Sequence, residues 1–166
     1  MISGHQNNKR IFPESKSRKL FLVLFKKKNT KQDKMLDYHP KIILAFGETI
    51  SGNEEIFEWL MNNGYTELGA LSKAIRGSEE AFKWLMDNGY PHFAAFDSAI
   101  DGDKKAYDWL IANEYTFLAL FSQACNKRAD AINWLNENQL SIFVRVAEKI
   151  HGFRDSQQFD YHKIHF

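Results

Sequence analysis

One hydrophobic pattern returns every 25 residues along most of the chain. All four tryptophans are followed by leucine and stand at that spacing, at Trp59, Trp84, Trp109 and Trp134. The surrounding columns keep the register without gaps, reading ISGNEEIFEWLMNNGY from Ile50, IRGSEEAFKWLMDNGY from Ile75, IDGDKKAYDWLIANEY from Ile100 and CNKRADAINWLNENQL from Cys125. A fixed period of this kind marks a tandem repeat, each unit of which buries its apolar face only against its neighbours.

Each unit resolves into two helices. In the second unit, Leu68, Ala70, Leu71, Ala74 and Ile75 recur at spacings of three and four and define one face of helix A. Gly52, Gly77 and Gly102 stop helix A, and Gly152 stands in the same column. Asn53, Ser78 and Asp103 follow as N-cap residues of helix B. Glu54, Glu55, Glu79 and Glu80 then sit where the positive end of the helix dipole favours carboxylates. Gly64 and Gly89 end helix B ahead of Tyr65 and Tyr90, whereas the fourth unit has Lys127 and Gln139 in the two glycine columns and needs other turns. Helix B is apolar around most of its circumference (Ala81, Phe82, Trp84, Leu85, Met86), which predicts packing against its own A helix and against the B helices before and after it. The expected fold is all-α, a right-handed αα-solenoid of about four and a half short helical-hairpin repeats. The repeats fall at about 40–64, 65–89, 90–114 and 115–139, with a final helix over 140–152 and a tail over 153–166.

The unit at residues 77–100, GSEEAFKWLMDNGYPHFAAFDSAI, resembles those of uncharacterised bacterial tandem-repeat proteins built from two-helix modules of this length. The resemblance covers roughly residues 36–152 and implies a fold, not an activity. Ankyrin and tetratricopeptide units are longer than this period.

Composition adds two constraints. The 166 residues, 44% hydrophobic and 14% aromatic, provide one domain with a real core. The single cysteine, Cys125, excludes an intramolecular disulfide framework, and its column is otherwise Ile50, Ile75, Ile100 and Ile150, which makes it a buried small hydrophobe. The charge is split: residues 1–34 carry +8 and the remainder −7. Within the basic arm, Leu20 to Phe25 is too short to span a bilayer and no small-residue cleavage site follows. Three readings stand: a mobile basic arm, which is favoured; an anchor in which Lys26, Lys27 and Lys28 face an anionic surface; and an extension upstream of a start at Met35.

For catalysis, no nucleophile stands beside a base and no glycine-rich phosphate loop occurs. His162 and His165 form a short H-x-x-H without a third ligand. No enzyme activity, cofactor, metal or small-molecule substrate is therefore expected. The Trp column reads as a core ladder, because shared packing demands identity in one column, rather than as an aromatic grip on a ligand. Positions that vary between units are better candidates for recognition: Glu48, Lys73, Arg76, Asp97, Asp101, Gln123 and Asn126, on helix A columns that are expected to be exposed along the inner wall of the superhelix. The resulting expectation is a cytoplasmic, non-enzymatic scaffold that binds a protein or peptide. The alternative is a peripheral adaptor that reaches anionic membrane or nucleic acid through the arm. Glu54, Glu55, Glu58, Glu79, Glu80 and Asp87 give helix B an acidic strip that repels phosphate backbones and attracts a cationic partner, the arm included.

Overall fold

The computed structural model describes residues 34–162, and among these every regular element is an α-helix. A short α1 (Lys34–Asp37) precedes five A helices, α2 (Pro40–Ile50), α4 (Thr66–Ile75), α6 (Pro91–Ile100), α8 (Thr116–Cys125) and α10 (Ser141–His162). Between them lie four B helices, α3 (Glu54–Asn62), α5 (Glu79–Asp87), α7 (Lys104–Ala112) and α9 (Ala129–Glu137). The tandem helical-hairpin fold is thus the one the period predicts. The arm, with Lys26, Lys27 and Lys28, lies outside the described residues.

The turns follow from the punctuation. Asn53 accepts from the Ile56 amide at 3.1 Å, Ser78 from Ala81 at 3.2 Å and Asp103 from Lys105 at 2.8 Å, so three of the four B helices have a side-chain N-cap. Where glycine is missing, Glu114, Lys127 and Gln139 adopt the left-handed conformation themselves, at φ 67°, 56° and 61°. The last A helix departs from expectation: it runs through Gly152 to His162 instead of stopping there, and Gly152 keeps a helical φ.

Each A helix packs against the next, and α10 packs back on α2, so the five A helices close into a ring. Phe46, Leu71, Phe96, Phe121 and Val146, one per helix in a single column, are all fully buried, with Phe96 and Phe121 stacked at 5.1 Å. Gly47 permits the closure, since a Cβ there would lie 3.1 Å from Val146 Cγ2 across the seam. Met35 of α1 is buried against α8, and Tyr38 donates to Glu67 Oε1 on α4 at 2.5 Å; together they cover the end where the A helices begin.

The B helices stand outside the ring, each set between its own A helix and the next. Contrary to the expectation from their apolar circumference, no two B helices pack substantially against one another among the described residues. The ring of A helices is too wide at its outer radius for consecutive B helices to meet. A trough is left between them.

Candidate functional site

The Trp column lies at the surface and the edge of the core, not within it, and Trp84 lines the trough between α3 and α5. Trp59 is 46% exposed and Trp109 37%, while Trp84 and Trp134 are half-buried against the core edge. The core-ladder expectation is therefore corrected: the following leucines, Leu60, Leu85, Leu110 and Leu135, are the fully buried residues of helix B. What the tryptophans share is a turn. In all four units an asparagine four residues on (Asn63, Asn88, Asn113, Asn138) donates its side-chain amide to the Trp carbonyl at 2.8 Å. A left-handed residue then reverses the chain, and Tyr65, Tyr90 and Tyr115 stack on Trp59, Trp84 and Trp109 at 6.1, 5.9 and 5.8 Å. The Asn repeated at 63, 88, 113 and 138 carries this signal in the sequence, though the helix and turn assignments above make no use of it.

The trough between α3 and α5 is a groove of about 400 Å³. Phe57 and Met61 of α3 form one wall, Ala81 and Trp84 of α5 the other, and Thr66, Ala70 and Lys73 of α4 the floor. Gly69 lets the first wall sit close to the floor, because a Cβ at that position would lie 2.5 Å from Met61 Sδ. Glu80 lies at the lip, and Glu54, Glu55, Glu58 and Glu79 are exposed on the two wall helices. Lys73 is the cation of the floor, 4.4 Å over the Phe57 ring and 3.2 Å from Glu54 Oε1. A second cavity of about 280 Å³ lies around Ile132, Val144, Glu148 and His151.

The variable positions of helix A do not line an open inner wall, because the ring centre is filled with side chains. In the column that holds Asp97, Gly47, Ser72, Ser122 and Ala147 are buried, not exposed as expected, since neighbouring A helices meet there. Arg76, Asp101 and Asn126 gather at the end where the A helices finish. There the unpaired terminal carbonyls attract donors and cations. Arg76 donates to the Ile50 carbonyl at 2.9 Å, His151 to that of Cys125 at 3.1 Å, and Arg154 to that of Ile100. Asn126 reaches the Ala99 carbonyl at 3.5 Å, Arg154 pairs with Asp101, and Phe153 lies under the Arg76 guanidinium at 4.9 Å. Glu48 pairs with Lys149 at 3.2 Å, and Gln123 is half-buried one turn from the end of α8. These residues hold the ring's lower rim together.

Burial shifts five titratable groups among the described residues, Tyr38, His92, Asp97, Tyr107 and Cys125, and three of them bear on the site. Burial pushes the Asp97 carboxyl up to about 7, with Asp101 adding to the rise and Arg154 opposing it. Burial, helped by Lys34, lowers His92 to about 4; its ring nitrogens have no hydrogen-bond partner, and the ring stacks flat on Tyr115 at 4.7 Å. Burial also pushes the Cys125 thiol up, away from the reactive thiolate. Among the described residues no group of three or more His, Cys, Asp or Glu is placed to share a metal ion, and no helix is long and apolar enough to cross a membrane. No protein family, curated protein or solved structure matches the chain, so the fold itself, a tandem array of short helical hairpins, is as far as likeness extends.

Proposed function

We propose that the protein is a non-enzymatic scaffold that binds a protein partner through a short apolar segment flanked by cations, seated in the trough between α3 and α5. One observation carries the reading: an apolar groove of about 400 Å³ walled by Phe57, Met61, Ala81 and Trp84, with Glu80 in its lining and further exposed carboxylates on the two wall helices. Its volume is that of ordinary ligand sites, while its open form between two helices suits a peptide. An exposed Met beside an aromatic ring adapts to varied apolar side chains. The carboxylates favour cationic flanks and steer their approach. The variable residues of the rim, led by Arg76, Asp101 and Asn126, have intramolecular partners and take second place as recognition residues.

The test is selection of short peptides from a displayed library on the full chain, followed by titration monitored by tryptophan fluorescence. Binders should be apolar with Lys or Arg at their ends. The substitution Met61→Lys, at an exposed position, should weaken them at least about tenfold, or about 1.4 kcal/mol, without lowering the melting temperature. Binders that ignore Met61→Lys would place recognition elsewhere.

A further inference from the structure

The basic arm has the composition the groove selects. Leu20 to Phe25 is an unbroken apolar run, preceded by Arg18 and Lys19 and followed by Lys26, Lys27 and Lys28. The groove presents apolar walls with Glu80 in its lining and Glu54 paired to Lys73 of the floor, and the wall helices carry Glu55, Glu58 and Glu79 exposed. As a whole, the arm carries +8 against −7 on the rest of the chain. Six apolar residues span about 9 Å as a helix or about 20 Å extended, lengths that bracket the roughly 15 Å of the floor helix α4.

The point of entry also fits. The described chain begins at Lys34 and crosses the end of the ring where the A helices start, held there by buried Met35 and by the Tyr38 hydrogen bond to Glu67. Glu67 follows Thr66, the residue at that end of the groove floor. Phe25 stands nine residues before Lys34, a reach of about 30 Å when extended. A tethered segment within reach competes at an effective concentration in the millimolar range, above that of most free partners.

We infer that residues 18–28 of the same chain occupy the groove between α3 and α5, so that a partner must displace the chain's own arm to bind. The inference rests on the groove being the peptide site proposed above. Occupation in cis makes the arm a built-in competitor: its charge sets how firmly the site is closed, and salt, or modification of Lys26, Lys27 and Lys28, opens it.

The experiment uses the full chain with Lys19→Cys and a nitroxide label on the introduced thiol, since Cys125 is buried and its thiol is held protonated. Selective broadening of the Trp84 indole N–H resonance over that of Trp134 is expected, and it should disappear when Met61→Lys and Glu80→Lys are added. Equal broadening of the two, or none, overturns the inference. So does broadening of an isotope-labelled, nitroxide-free chain mixed with a nitroxide-labelled one, because the occupant is then the arm of a second copy. In parallel, Leu20→Gln with Leu22→Gln and Leu24→Gln should tighten the library-selected peptides about tenfold. Peptides that bind the groove with no gain in this variant, and no Trp84 broadening, overturn self-occupation while leaving the groove as a peptide site. Broadening at Trp84 with no peptide binder in either chain supports self-occupation and removes partner recognition.

Discussion

At the scale of single residues, identity across repeats has two different causes. Leu85 and Leu110 recur because the space between a B helix and two A helices admits one side chain shape, and both are fully buried. Trp84 and Trp109 recur because the turn after helix B is built on them: the carbonyl takes the Asn side chain and the ring takes the Tyr. Leu85→Ala or Leu110→Ala should therefore cost about 2–5 kcal/mol, as expected for a buried cavity. Trp109→Ala should cost only about 1–2 kcal/mol, the loss of one stack and some partly covered area. Urea titration orders the two, and a larger loss for the tryptophan would return it to the core. Period and residue type were legible in the sequence, but burial was not, because a conspicuous aromatic satisfies both explanations. The left-handed residues were better specified. Lys127→Gly and Gln139→Gly remove a side chain from a conformation glycine adopts freely, so each should raise stability by about 1 kcal/mol, read as an upward shift of the thermal midpoint. A fall in either midpoint would mean that the side chain earns its place by a contact.

At the scale of the helix, what matters is where the A helices end. The last carbonyls of α2, α8 and α6, those of Ile50, Cys125 and Ile100, recruit Arg76, His151 and Arg154. Arg154 also pairs with Asp101, and His151 Nε2 lies 3.0 Å from Asp155 Oδ2. Continuation of α10 past Gly152 brings Phe153, Arg154 and Asp155 to the rim, where they meet Arg76, Asp101 and His151, which explains why it wins over the glycine signal. Asp97 is the cost of this crowding. Its carboxyl, raised to about 7 by burial and by Asp101, holds a proton that the unfolded chain releases near 3.8. The native state then binds more protons than the unfolded one between those values, so this residue's contribution to stability is complete below about 4 and is lost as the pH rises through 7. In Asp97→Asn the loss is absent, so the stability difference between the variant and the parent should grow in the variant's favour from pH 4 to pH 8. His92 acts in the opposite sense, since its buried neutral ring costs stability as the pH falls from 6.5 towards 4. His92→Leu should flatten the acid limb, and because neither ring nitrogen has a partner, it should not destabilise the protein at neutral pH. Guanidinium titrations across that range read both signs, and a variant curve parallel to the parent's would refute either assignment.

At the scale of the whole molecule, the closed ring is the feature no local pattern could announce. The period identifies the hairpin, and the caps identify its ends, but closure depends on the small rotation between units summed over five A helices. A one-residue change of packing in each unit would leave the same sequence signals on an open superhelix. The one trace was Gly47, which reads as an ordinary member of a small-residue column beside Ser72, Asp97, Ser122 and Ala147. In the ring it marks the seam, with Val146 Cγ2 and Lys149 Cδ at 3.1 and 3.3 Å from where a Cβ would stand. Closure joins residues about 100 apart in sequence, so the first and last units unfold as one with the middle instead of fraying as the ends of an open array do. Gly47→Leu should break that coupling. Overpacking of the seam should cost about 1–3 kcal/mol, and hydrogen exchange should then become fast along α2 and α10 while α6 and α8 keep their protection. Gly152→Ala is the matching control: it lies in the separate column of Gly52, Gly77 and Gly102, but it is helical and open to space, so it should gain up to about 1 kcal/mol from helix propensity and leave exchange along α2 unchanged. Uniform exchange rates in Gly47→Leu and in the parent would mean that α10 does not close on α2, and the ring would have to be redrawn as an open array.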